Sequence, residues 1–412
     1  MWVCICLTFL SAFAADEFEE LEDEEEMFID EIERRQELDP VVLVPGLAGS
    51  HLEYRNKTGT KWSTLWLDFA RTLPGLLPKY IKDIKTHYDP VNETFLSANH
   101  IEVRPVDFGG VKGIKYLDPV VKTVTRMFNT IVKAFKKAGY QTGKNLFGAP
   151  YDWRIAHPKT CMENGMFANF KDLVEKASNL NNGKKVHLIG HSCGCIFIHT
   201  FMTRYVTQDW VDQYVASFIS ISGPYGGATE AFAHLASPHK WSIPTVGAKA
   251  THEMAKEFGS IFWMLPNKNA YADDTIIATI PSIGETITLR NMSHVFTSTN
   301  RYLADEALAM TQRYIDRPIK APHVPVHFII GRGKKTTKAM QYEGAPDSWW
   351  HKQGKNIIGD GDGTVPIESL RCALKWKDEQ HEEITLLELK YSHTGILHKK
   401  ESINHMLSII SR

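Results

Sequence analysis

The sequence predicts an α/β protein built on a doubly wound, mostly parallel sheet, and three observations predict it. Apolar runs rich in β-branched residues recur along the chain at Pro40–Pro45 (PVVLVP), Lys185–Gly190 (KVHLIG), Ala216–Ser222 (ASFISIS), Val324–Gly331 (VPVHFIIG) and Ile384–Leu389 (ITLLEL). They are continuous rather than alternating, the pattern of strands buried on both faces of a parallel sheet. Stretches with helical periodicity lie between them, as the crossovers of such a sheet require.

The order of elements begins with a leader. Residues 1–15, MWVCICLTFLSAFAA, are mostly apolar, and Ala12-Phe13-Ala14 fits a small-x-small cleavage site, so a signal peptide is expected there. Residues 16–39 hold fourteen Asp and Glu against two Arg, a net of −12 in a chain of net −1, so the remainder stands at +11. Such an acidic arm is expected to be solvated and disordered, or to act as a propeptide folding back on a basic body. A basic body suits an anionic lipid surface. Nucleic acid is not expected as a partner, because no binding motif for it occurs. No run of 18 or more apolar residues occurs, so no transmembrane helix is expected.

The first strand, PVVLVP, is followed by Gly46-Leu47-Ala48-Gly49. Residues 51–105 then break the α/β rhythm. Trp62, Leu65, Trp66, Leu67, Phe69, Leu73, Leu76 and Leu77 are interleaved with Lys and Arg there. This reads either as a buried helix face or as a membrane-binding insertion, whose candidate contacts are Trp62, Leu65, Trp66, Leu67 and Phe69. Pro119–Ala138 places Val120, Val124, Phe128, Ile131 and Phe135 on one helical face. Phe167–Ala177 and Cys193–Thr207 are expected as further helices. Residues 225–321 hold no strong strand before Val324 and read as a cap or lid. Three Asn-x-Ser/Thr sites, Asn56, Asn92 and Asn291, are candidate glycosylation sites and, with the leader, favour the secretory pathway.

Chemistry concentrates in KVHLIGHSCGC, where an apolar strand turns into a helix. Gly-x-Ser-x-Gly in that setting is a nucleophile elbow with Ser192 at its tip. Gly190 and Gly194 remove side chains that would collide with the neighbouring backbone. The Cys193 N–H can serve an oxyanion, and Leu47, in the loop after the first strand, is the candidate second donor. A serine needs a base, and the base an orienting carboxylate, in the chain order Ser, Asp or Glu, His. GDGDGTVP supplies Asp360 and Asp362. YSHTGIL supplies His393, with His381 and His398 as rivals. Cys193 and Cys195 are expected to be packed thiols. The CxxC spacing of zinc sites is absent, and no metal and no other cofactor is expected.

VVLVPGLAGSHLE, GAPYDWR (Gly148–Arg154), GHSCG, ISGPYGG (Ile221–Gly227), GDGDGTVP and the late SH resemble the lecithin:cholesterol acyltransferase family, in order and over about residues 40–410. The closest likeness is to its lysosomal phospholipase A2 branch. The resemblance implies an α/β-hydrolase core with a membrane-binding subdomain and a mobile lid. It implies a serine phospholipase and transacylase, acting at a membrane or lipoprotein surface without a cofactor. A glycerophospholipid would give its acyl chain to Ser192, and water or a lipid alcohol would accept it. A sterol or diacylglycerol acyltransferase is the neighbouring possibility, and a non-catalytic lipid-binding protein is the one from another class. Carried over by motif, Ser192, Asp362 and His393 are the triad, and Leu47 and Cys193 the oxyanion donors. The resemblance also implies disulfides that this chain cannot make, since residues 51–105 contain no cysteine and Phe328 stands where a partner of Cys372 is usual.

Overall fold

The computed structural model describes residues 38–118, 121–122, 125–240, 245–297, 301–346 and 348–411. The expected leader and nearly all of the acidic arm lie outside the described residues. Six parallel strands form the central sheet: β1 (Val41–Val44), β2 (Leu146–Gly148), β3 (Val186–His191), β4 (Val215–Ile221), β5 (Val326–Gly331) and β6 (Ile384–Leu389). Their spatial order is β6-β5-β4-β3-β1-β2. Five of them coincide with the apolar runs. The sixth, Leu-Phe-Gly, is too short to stand out in the sequence.

Chain order reverses between β1 and β3, which run side by side while their connections leave in opposite directions. A crevice opens at the carboxyl ends of strands at such a switch point, and ligands bind there. This sheet, with a strand-turn-helix elbow after β3, is the α/β-hydrolase fold. Helices Met166–Asn179 and Cys193–Thr200 cover one face, and Asn129–Lys137 and Lys400–Ile410 the other.

Two expected helices are shorter in the structure. The one expected over 119–138 is regular only at Asn129–Lys137, with Phe128, Ile131 and Phe135 buried. Val120 and Val124 fall outside the described residues. Ahead of the helix, Asp118 Oδ1 accepts from Val121 N–H at 2.9 Å and Thr125 Oγ1 donates to Val121 O at 2.7 Å. Side chains that close a turn on themselves compete with helix propagation. After Thr200 the catalytic-side helix passes into a π turn at Phe201–Tyr205.

The segment 225–321 is not free of strands. Ile276–Ile280 and Glu285–Thr288 form an antiparallel hairpin, turned at Gly284 with φ +69. The hairpin joins Thr336–Gln341 and Lys355–Gly359 in a second, four-stranded sheet. The two hairpin strands are part-exposed and short, and Glu285–Thr288 alternates threonine with other residues, so they lack the continuous apolar signature of the core strands.

The segment 51–105 corrects a second expectation. It forms a three-stranded antiparallel sheet of Ser63–Trp66, Leu52–Asn56 and Ile101–Pro105, a hairpin of Thr86–Asp89 and Thr94–Ser97, and a helix at Leu77–Ile84. Leu65, Trp66 and Leu67 are buried here, not presented to a membrane. Trp66 packs edge-on against Trp153 with centroids 5.0 Å apart, and its Nε1–H donates to Ala48 O at 2.8 Å. Trp62 lies between the guanidinium groups of Arg104 and Arg55, 4.0 and 4.9 Å from its ring centre. Phe69 is half-buried against the core. The stripe therefore welds the insertion to the sheet and holds the loop after β1. The large apolar side chains that this segment does expose are Val91, Leu96, Leu73 and Leu76, the last two flanking one turn.

GAPYDWR serves the same weld. Arg154 is fully buried, paired with Asp152 Oδ2 at 2.7 Å, and donates to Ile84 O at 3.0 Å and Ser97 Oγ at 2.8 Å. A buried guanidinium satisfied on all sides fixes the insertion where removal of one partner would leave an uncompensated charge. Trp66→Ala is expected to cost about 3–5 kcal/mol of stability, as for other large buried aromatic side chains. Denaturant unfolding measures it, and a loss below about 1 kcal/mol would return Trp66 to the surface role.

Candidate active site

β3 is buried along its whole length and ends at His191. Ser192 follows at φ +54, ψ −127, and the helix Cys193–Thr200 begins at the next residue. Few non-glycine residues occupy that conformation, and the surroundings must hold it there. Ser192 N–H donates to Ile221 O at 2.8 Å, tying the turn to β4. A Cβ on Gly194 would stand 2.4 Å from Val44 O, and one on Gly190 3.0 Å from Cys195 N. Both glycines are therefore steric requirements of the elbow.

Three polar side chains meet at this tip. Ser192 Oγ lies 2.8 Å from His393 Nε2, and His393 Nδ1–H donates to Asp362 Oδ2 at 2.6 Å. Ser192 and His393 are almost buried and Asp362 is fully so. Asp362 Oδ1 accepts from Thr364 N–H at 3.0 Å and Val365 N–H at 2.8 Å, and Asp362 O accepts from His393 N–H at 2.8 Å. Burial pushes the Asp362 carboxyl upward. The neighbouring His393, by charge and hydrogen bond, and the two backbone donors outweigh it and hold the group below the usual carboxylate range. Asp360 points elsewhere: its Oδ1 accepts from Gly333 and Gly361 N–H, both at 2.8 Å, and shapes the loop. His381 is exposed, and His398 is bonded to Thr130 Oγ1 at 3.0 Å.

Leu47 lies in the turn after β1. Gly49 N–H closes that turn on Gly46 O at 3.0 Å and Ala48 takes φ +59, so Leu47 N–H is not used within it. A Cβ on Gly46 would stand 2.7 Å from Ser192 Cβ, which shows how closely this backbone approaches the elbow. Cys193 occupies the first helical position, with its thiol buried and pushed up to about 12 by burial. A thiol so protonated leaves the hydroxyl as the reactive group of the turn. The four described cysteines, Cys161, Cys193, Cys195 and Cys372, are all free.

Sequence reasoning weighed His191, the variable position of the elbow motif, only as a neighbour of Cys193 and Cys195 in a metal site and gave it no part in the triad. Its Nε2–H donates to His393 O at 2.8 Å, and its ring packs 4.9 Å from that of His393. Burial first, then the neighbouring His393, lowers it to about 3, so it stays a neutral donor. Nothing in G-x-S-x-G marks this residue, because its partner is the backbone of a loop at the far end of the chain.

The geometry can do acyl transfer: a hydroxyl on a base, a base on a buried carboxylate, and backbone N–H groups beside them. The chain matches the family model described as lecithin:cholesterol acyltransferase over residues 62–319 and 309–411. It belongs to that family. This family member is 30% identical over 362 residues to the lysosomal phospholipase A and acyltransferase of Rattus norvegicus, covering 85% of this chain and 84% of the relative. It is 30% identical over 364 residues to the Homo sapiens protein of the same name, covering 85% of each chain. It is 26% identical over 384 residues to the phosphatidylcholine-sterol acyltransferase of Mus musculus, covering 90% of this chain and 85% of the relative. Among solved structures, a chain of the Tle4-Tli4 complex has a TM-score of 0.51 at 12% identity, over 90% of this chain and 98% of that one. That last likeness concerns the fold alone.

The buried histidines of this family member set a pH dependence. Burial lowers His157, His191 and His234 to about 3, and His199, His252 and His398 to about 4. Between those values and 6.5 only the unfolded chain takes up their protons. Each neutral histidine therefore contributes stability that is present above 6.5 and lost as pH falls toward its folded value. From pH 7 to 5 the loss is on the order of 1–2 kcal/mol per histidine. The melting temperature is expected to fall over that interval, and an equal or higher midpoint at pH 5 would contradict the assignment.

Proposed function

We propose that this chain is a serine phospholipase and transacylase of the A1/A2 type. It removes a fatty acyl chain from a glycerophospholipid and passes it to water or a lipid alcohol. The hydrogen-bonded chain Ser192–His393–Asp362 in a member of this family carries the reading. In the proposed reaction His393 Nε2 takes the Ser192 proton as Oγ attacks the ester carbonyl. Leu47 and Cys193 N–H groups receive the oxyanion. His393 returns the proton to the departing lysophospholipid, leaving an acyl ester on Ser192. Water or a lipid alcohol, deprotonated by the same base, then releases the acyl group.

Residues 51–105 and 225–321 are proposed to dock the enzyme on a membrane or lipoprotein surface and to cap the cleft. The exposed Leu73 and Leu76 are better placed for docking than Trp66 and its neighbours. Among the described residues no helix is long and apolar enough to cross a membrane, and the docking is proposed as peripheral. Asn56, Asn92 and Asn291 are all exposed and are proposed as glycan sites of a protein in the secretory pathway, lysosomal or extracellular.

Product analysis tests the activity. The full chain is incubated with phospholipid liposomes, with and without N-acetylsphingosine or cholesterol, at acid and neutral pH. Free fatty acid plus acylated N-acetylsphingosine is the expected pattern. Cholesteryl ester as the main product would move the reading to a sterol acyltransferase, as one relative's name would suggest. No acyl release under any condition would reject the enzyme altogether.

A further inference from the structure

No metal is expected from the sequence, yet the fold gathers one set of metal-type ligands away from Ser192. Glu230 and His234 stand four apart on the helix Thr229–Ala236, so both project from one face. His239 returns to that face just beyond the helix end. Ligand atoms of the three lie within 4.8 Å of one another. The two imidazoles meet edge-to-face with centroids 4.9 Å apart, and His239 Nε2 lies 2.5 Å from Glu230 Oε2.

From these contacts we propose that Glu230, His234 and His239 form a binding site for one zinc-class divalent metal ion, which fixes the helix Thr229–Ala236 to the chain that leaves its end.

Both histidines are buried and Glu230 half-buried, so the donors would meet a metal largely out of water. Two imidazoles and a carboxylate are ligands zinc takes, with water able to fill the fourth tetrahedral position. Donors around a zinc ion at about 2.0–2.1 Å stand roughly 3.3 Å apart, so the widest pair here closes by at most about 1.5 Å through side-chain rotation, and the Glu230–His239 pair opens as its hydrogen bond gives way to the ion. The ligand set is already supported from outside. Thr337 Oγ1 donates to the second carboxylate oxygen, Glu230 Oε1, at 2.5 Å, and Thr229 Oγ1 donates to Lys338 O at 3.1 Å. His252 Nδ1–H donates to His234 O at 2.8 Å. Outer partners of this kind fix ligand orientation. His239 spends Nε2 on the carboxylate while its Nδ1 is buried with no hydrogen-bond partner among the described residues. A buried nitrogen left in that state is costly.

The location gives the staple a consequence. Thr337 follows Thr336, whose Oγ1 accepts from Gly363 N–H at 2.8 Å beside Asp362. One strand therefore connects the metal cluster to the loop that carries the carboxylate.

Metal content and thermal stability test this on the full chain. After gel filtration with zinc, one ion per chain is expected by atomic emission, together with a higher melting temperature. Cobalt in its place should give the visible d–d bands of a tetrahedral site without thiolate charge-transfer bands. His239→Gln, His234→Gln and Glu230→Gln should each lose the ion and the zinc-dependent rise in melting temperature, while His393→Gln keeps both. Three results would overturn the site: no bound zinc in the wild-type protein, zinc retained by His239→Gln, or zinc lost in His393→Gln. If the variants fail to fold, the wild-type cobalt spectrum decides, and octahedral or thiolate-type bands reject the proposal.

Discussion

Ser192→Ala is expected to lower acyl release from phospholipid liposomes by at least about 10⁴-fold, with binding to the same liposomes retained. The expectation follows from where the hydroxyl sits. Ser192 Oγ is the only group of the elbow within hydrogen-bond reach of His393 Nε2, at 2.8 Å among the described residues. The adjacent thiol of Cys193 is buried and held protonated, so it offers no substitute nucleophile. Removing one hydroxyl leaves the turn intact, because Ser192 is tied to β4 through its backbone N–H rather than its side chain. Retained turnover in this variant would remove Ser192 from the reaction. Loss of liposome binding alongside activity would place the serine in docking instead.

Asp362→Asn is expected to lower the same rate by about 10⁴-fold, and Asp360→Asn far less. The carboxylate at 362 accepts Nδ1–H of His393 and so keeps the Nε2 lone pair facing Ser192 Oγ. An asparagine amide there can donate to Nδ1 instead, which turns the tautomer around and leaves a proton on the nitrogen that must act as base. The other oxygen is bonded to Thr364 and Val365 N–H, so an isosteric amide keeps the loop in place and the loss falls on chemistry, not folding. Asp360 contacts only backbone N–H groups of its loop and of Gly333. Its amide variant should change stability more than rate. Equal and mild effects at the two positions would mean that neither orients His393. Ionisation gives a second check. Because the Asp362 carboxyl lies below the usual range, its contribution to stability is full above the unfolded value and is lost only as pH falls through the lower folded value.

Different parts of this architecture were readable to different degrees, for physical reasons. A strand buried on both faces writes itself into the sequence as a continuous apolar run, as β1, β3, β4 and β5 do, while the edge strand β6 carries such a run though half-exposed along its length. The half-exposed hairpin at Ile276–Thr288 writes only a weak alternation and was not expected. The Trp/Leu stripe was ambiguous because a buried face and a membrane-facing patch have the same composition. Trp153 and the carbonyl of Ala48, brought in from elsewhere, decided that Trp66 is buried. The Glu230–His234–His239 cluster was likewise invisible, since helix periodicity and a chain reversal together produce it.

By itself the sequence determined the strand-to-helix turn at Ser192, since every residue that shapes the elbow is contiguous from Val186 to Thr200. It also determined the order in which a carboxylate and a histidine follow. Spacing left Asp360 and Asp362 open and the family motif chose Asp362; the tertiary structure shows that Asp362 faces His393, and it alone revealed that His191 holds the backbone of His393. Two carboxylates separated by one glycine are equivalent in composition and spacing. The direction of a side chain in a tight loop depends on the N–H groups and rings that the rest of the fold brings against it.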